Sequence, residues 1–233
     1  MHKLAASASR PLPVLVFLHG INAELIRYRW MGGGQEGDVR RIVSELMESG
    51  RIPPVLVAAP SAIVPAATAV ARTSWPHFDL ARFLDLTTAR LGRMATLDRE
   101  RILVAGHSGG GCNASGGVVS AALASPPVHA ALVIDGCMEP DFASAIARAP
   151  ATTHVIVSWQ TQSWARRPFG AFERAFRREE VLRPAAPGVL RELEHLRPTE
   201  PMPHDAMVPL VLQRWLPALL SSDALPDLPC VSP

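Results

Sequence analysis

Short, nearly continuous apolar runs recur along this chain, separated by longer stretches in which apolar residues return every three or four positions. The runs Pro13 to Leu18, Pro54 to Ala59, Arg101 to Gly106, Ala130 to Asp135, His154 to Trp159 and, more weakly, Val189 to Leu196 predict strands. Runs without polar alternation suit strands covered on both faces, as in a parallel sheet. Between them, Glu36 to Glu48, Phe78 to Met94, Gly109 to Ala124, Asp141 to Arg148, Phe169 to Val181 and Ala206 to Leu220 predict helices. In the second of these, Leu80, Phe83, Leu84, Thr87 and Leu91 share one face, which should lie against the sheet. Strands alternating with helices in this way predict a three-layer α/β sandwich with a mostly parallel sheet of about six strands. Ligands in such folds sit outside the carboxyl ends of the strands.

Composition narrows the picture. A chain of 233 residues, 48% hydrophobic and 19% charged, can bury one substantial core and fits one domain, with 1–12 and 225–233 read as flexible ends. The net charge is +2, Lys3 is the only lysine, and the arginines are dispersed. Nucleic-acid binding calls for a basic patch or stripe, so no nucleic-acid partner is expected. Three cysteines, Cys112, Cys137 and Cys230, with no C-x-x-C pair suggest neither a disulfide framework nor a zinc site. Cys112 and Cys137 could approach one another near the sheet's carboxyl edge but are read as packing residues, and the compartment as reducing; with no signal-peptide run in Met1 to Pro13, the expected location is cytoplasmic. No apolar run has signal-peptide or membrane-span length. Two connections, 21–35 with Tyr28, Trp30, Met31 and Gly32-Gly33-Gly34, and 61–76 with Trp75, exceed what a crossover needs; they either shape a pocket or are surface loops with aromatics tucked onto the core. The three glycines lack the setting of a phosphate loop and read as a hinge.

The sharpest local signal is Arg101-Ile102-Leu103-Val104-Ala105-Gly106-His107-Ser108-Gly109-Gly110-Gly111. An apolar strand runs into G-x-S-x-G and then into a small-residue helix, the context of a nucleophile elbow. The five-residue pattern alone would arise by accident in roughly 8% of chains this long, so its setting carries the weight. Glycines flank the serine because side chains there would collide with neighbouring segments. The adjoining helix terminus favours developing negative charge.

In these residues the chain resembles the α/β-hydrolase superfamily, from the strand at Val14 to Leu18 through the helix after His204. Because the first strand starts so early, the two leading antiparallel strands of the superfamily are expected to be missing and the fold to be compact. The resemblance makes His19-Gly20 the opening of an oxyanion loop, with the N–H groups of Ile21 and Gly109 as its donors. It implies His204, in Pro201-Met202-Pro203-His204-Asp205, as general base for Ser108. His107 neighbours the nucleophile but should point away from it, His19 reads as part of its loop, and His77 as a helix cap or pocket residue. The superfamily's usual site for the acid, after Val155 to Trp159, holds no carboxylate in Gln160-Thr161-Gln162-Ser163-Trp164. Asp135, one strand earlier, preserves the order Ser, Asp, His, with Asp141 and Glu173 as alternatives. Tyr28, Trp30, Trp75 and His107 are the expected pocket residues. Asp205 beside His204 could suggest a metal pair, but no second histidine stands at ligand spacing, and neither metal nor organic cofactor is expected. The implied activity is cleavage of a small carboxylic ester through an acyl-enzyme. Amide or peptide hydrolysis, or acyl transfer to another acceptor, is the alternative, and a non-catalytic binder on the same fold is a rival class.

Overall fold

The computed structural model of the protein describes residues 10–22, 37–62, 71–76, 78–160, 169–197 and 204–221. Its strands are β1 (Leu12–Leu18), β2 (Leu56–Ala58), β3 (Leu97–His107), β4 (Ala130–Ile134), β5 (His154–Gln160) and β6 (Arg191–Leu196). Its helices are α1 (Val39–Glu48), α2 (Leu80–Leu91), α3 (Gly117–Ala122), α4 (Pro140–Ala147), α5 (Phe169–Leu182) and α6 (Met207–Leu220). The strands form one sheet in the order β2-β1-β3-β4-β5-β6, and every pairing among the described residues is parallel.

Burial follows the apolar runs. Every residue of β1 and of β4 is buried. Alternate side chains of β1 serve opposite cores. Val14, Val16 and Leu18 pack with Leu80, Leu84, Val118, Phe142 and Phe172, on the side covered by α2 to α5. Leu15 and Phe17 pack with Ile42, Leu46, Val211 and Trp215, under α1 and α6. The result is a three-layer sandwich. Leu12, assigned from the sequence to a flexible end, is 1% exposed and opens β1, its N–H donating to Thr96 O at 2.9 Å.

Helix ends shift from the expected ones where capping decides them. Asp38 accepts from Arg40 N at 2.9 Å and starts α1, and Asp79 accepts from Arg82 N at 3.0 Å and starts α2. Each cap is worth about 1 kcal/mol. Gly92, at φ 55°, ends α2 before Met94. The helix expected over Gly109 to Ala124 is broken. A 3-10 turn, Ser108–Gly111, is followed by an Asn113 turn, with Ser115 N donating to Asn113 Oδ1 at 3.0 Å, and only then by α3. Three successive glycines make poor helix, and the asparagine side chain offers the backbone a competing partner.

The order of connections positions the site. From β1 the chain passes outward to edge strand β2, then returns to β3 on the other side of β1. Connections leaving β1 and β3 therefore diverge and open a crevice at the carboxyl ends of these two strands, where Gly20 and Ser108 lie.

Candidate active site

Ser108 follows the last residue of β3 and adopts φ 52°, a left-handed conformation rare for a residue with a Cβ. Such strain persists only where the surroundings enforce it. Here a Cβ on Gly106 would sit 2.5 Å from Gly110 O and 2.8 Å from its carbonyl carbon, so the backbone can double back only through glycine. The segment after β1 that carries His19 and Gly20 passes close to Ser108. A Cβ on Gly20 would lie 2.7 Å from Ser108 Cβ and 3.0 Å from its Oγ. The Ile21 N–H is close to the other expected donor: a Cβ on Gly109 would be 3.3 Å from Ile21 N.

At the end of β4, Asp135 is fully buried and also left-handed, at φ 46°. Its Oδ2 lies 2.6 Å from His204 Nδ1, on the 3-10 turn His204–Ala206 that leads into α6. A carboxylate at Nδ1 holds the proton there and leaves Nε2 as the basic nitrogen. The loop before His204 includes residues outside those described. After it, α6 is fastened to β6: Glu194 accepts from Trp215 Nε1 at 3.0 Å and from Ser158 Oγ at 2.7 Å, and pairs with Arg214 at 2.6 Å. The ring of His107 lies against that of His204, with centroids 4.4 Å apart and planes tilted by 32°. Among the described residues no hydrogen bond joins Ser108 Oγ to the His204 ring. Contacts of this kind tighten on substrate binding.

No protein-family model matches this chain, and no curated protein matches it in sequence. Solved structures do match in fold. An uncharacterised protein from Capnocytophaga ochracea aligns at a TM-score of 0.58 and 16% identity over 91% of this chain, which spans only 57% of that protein. A serine-to-alanine mutant of the feruloyl esterase module from Clostridium thermocellum, complexed with sinapinate, aligns at 0.57 and 12% identity over 89% of this chain and 77% of its own. S-formylglutathione hydrolase from Staphylococcus aureus aligns at 0.53 and 14% identity, over 91% and 83%. The chain has the α/β-hydrolase fold.

Within that fold, the end of β5 presents an amide where an acid was first sought. Gln160, fully buried, donates from its backbone N to Asp135 Oδ1 at 3.2 Å and from Nε2 to Oδ2 at 3.3 Å. No periodic signal in the sequence marked it for this role. The alternative acids lie elsewhere: Asp141 accepts from Phe142 N at 2.9 Å at the start of α4, and Glu173 is exposed on α5.

The described residues of the second long connection pack against the segment that follows β1. Trp75, expected in the pocket, is 8% exposed; its Nε1 donates to His19 O at 2.9 Å and its ring meets the His19 ring edge-on. His19 Nε2 in turn accepts from Ala62 N at 3.0 Å. Ser74 was not singled out in the sequence, yet its Oγ stands 2.9 Å from where a Gly109 Cβ would be. Asn113 Nδ2 holds this segment by donating to Ser74 O at 2.9 Å. Tyr28, Trp30, His77 and Gly32-Gly33-Gly34 lie outside the described residues.

Two expectations about soft ligands change. The second histidine missing from the sequence around Asp205 is His107: it, His204 and Asp205 each bring a ligand atom within 4.8 Å of the others. Tetrahedral zinc, with ligands at 2.0–2.1 Å, requires separations of about 3.3 Å. The group is therefore too wide for zinc as it stands. Cys112 and Cys137, read as packing residues, form a disulfide across 25 residues with a Cα–Cα distance of 4.7 Å. Only the fold brings together the strand ends that carry them. No described helix is long and apolar enough to cross a membrane.

Proposed function

We propose that the protein is a serine carboxylesterase in which Ser108 is the nucleophile, His204 the general base and Asp135 the acid that orients it. The observation that carries this reading is the 2.6 Å contact from Asp135 Oδ2 to His204 Nδ1, taken with the positive φ of Ser108 at the end of the neighbouring strand. His204 Nε2 takes the Ser108 proton as the hydroxyl attacks the ester carbonyl. The resulting oxyanion is met by the N–H groups of Ile21 and Gly109, donors aimed where charge develops. The imidazolium, stabilised by Asp135, returns the proton to the departing alcohol. Water then repeats the sequence on the acyl-enzyme and frees the acid.

Esters are the expected class because they need less help at the leaving group than amides, and the esterases and hydrolases among the solved structures of this fold support the same choice. The substrate is a small molecule, and neither a metal nor an organic cofactor takes part. The reducing compartment expected from three cysteines without a C-x-x-C pair is opposed by the Cys112–Cys137 bond, which favours an oxidising one.

The test is covalent labelling with a fluorophosphonate together with turnover of a panel of aryl esters, anilides and short peptides. The native chain should label and should cleave esters fastest, and Ser108→Ala should do neither. Labelling that survives Ser108→Ala would refute the assignment.

A further inference from the structure

We infer that the Cys112–Cys137 disulfide is a positioning brace of the catalytic centre, so that turnover depends on its oxidation. The inference rests on the serine-hydrolase reading above. One half-cystine ends the turn that begins at Ser108, and its Sγ lies 3.1 Å from the Ser108 carbonyl oxygen. The other is two residues past Asp135. Between these points the two backbones touch, since a Cβ on Gly136 would collide with Gly111 O. The bond thus ties together two turns, each holding its functional residue at a positive φ, 52° at Ser108 and 46° at Asp135. From the β5 side Asp135 is held by two hydrogen bonds from Gln160. The covalent tie on the β3 side is this bond. Because Asp135 carries His204, the brace sets where the base stands relative to Ser108, and displacements of an ångström there are costly.

Both cysteines are buried, at 4% and 2% exposure, so an external dithiol must reach them through a local opening. The dithiol supplies two electrons and two protons; it leaves as its own disulfide, and Cys112 and Cys137 become thiols.

The test compares native protein, the Cys112→Ala/Cys137→Ala double variant, and native protein reduced with a dithiol, with thiols counted by alkylation and mass spectrometry. Each is assayed for ester kcat and KM, and for the low-field proton resonance of His204 Nδ1–H on Asp135. With the brace removed, kcat should fall about tenfold or more, KM should stay within about twofold, and the low-field resonance should broaden or vanish, while far-UV circular dichroism is retained. A folded double variant, or a fully reduced folded chain, with native kcat and an intact resonance would overturn the inference. Global unfolding of both would also overturn it, by showing a staple for the whole fold. If the oxidised native chain fails to label with fluorophosphonate, the hydrolase reading fails first; if it labels and the brace has no effect, only the brace fails.

Discussion

Strands β4 and β5 carry histidine chemistry at both ends, and the two ends treat it in opposite ways. At the carboxyl end, the Nδ1 of His204 faces the buried carboxylate of Asp135 at 2.6 Å. At the amino end, His154 Nδ1 accepts from Leu190 N at 3.0 Å, and its ring lies 5.0 Å from that of His129, whose Nε2 donates to Leu219 O at 2.9 Å. Burial, with the neighbouring His129 and Arg191, pushes His154 down to about 4. A carboxylate at Nδ1 fixes one proton and stabilises a second on the ring. A peptide N–H at Nδ1 demands a lone pair and favours a neutral ring. The partner at one nitrogen thus separates the histidine proposed as general base from one that packs at the sheet's amino end.

The comparison breaks most visibly at Asp135. Asp135→Asn should favour the wrong His204 tautomer and lower kcat by about 10⁴-fold, the loss known for the equivalent change in a serine-protease triad. Thermal melting should show the fold retained; near-native turnover would show that Asp135 is not the acid that orients His204.

Gln160→Leu keeps the backbone donor and removes the side-chain one. A hydrogen bond to a charged group is worth about 1.5–3 kcal/mol, and this one is long, so kcat should fall roughly tenfold. A native kcat would show that Gln160 does not help to hold Asp135.

At the amino end the effect appears in stability. Between about pH 4 and 6.5 the unfolded chain binds a proton at residue 154 that the folded chain lacks. Stability from this site is therefore fully present above about 6.5 and falls as the pH drops through that window. Allowing for partial solvent screening, the loss is about 1–2 kcal/mol. His154→Asn, which preserves an acceptor for Leu190 N, should flatten this part of the denaturation profile and leave kcat unaltered. A slope equal to that of the native chain would assign the loss to other groups.

The smallest effect is expected away from both ends. Arg41→Ala removes the exposed ion pair from Arg41 to Glu45, at 3.0 Å on α1. It should change stability by at most about 0.5 kcal/mol and should not change turnover, which denaturant melts and ester assays would check.

Much of the fold was readable in advance because burial on both faces leaves a simple mark, an apolar run of strand length. The strand centres of β1, β3, β4 and β5 were legible for this reason. Errors fell where local chemistry competes with the pattern. Asp38 and Asp79 moved the helix starts, and the glycines and Asn113 broke the helix after Ser108. In the site, the turn at Ser108 could be read from its glycines because a close backbone approach selects glycine at particular positions. Gln160 and Ser74 could not, since an amide or hydroxyl near a strand end or in a loop has no periodic signature.

By itself, then, the sequence determined the layered α/β architecture and the strained serine turn, both consequences of short-range pattern and sterics. The tertiary structure decided which carboxylate meets His204, that His107 stacks beside it, and that Cys112 bonds to Cys137. These pairings span 69, 97 and 25 residues, and each arises where parallel strands or the segments after them end side by side. No spacing along the chain encodes such neighbours; the register of the sheet does.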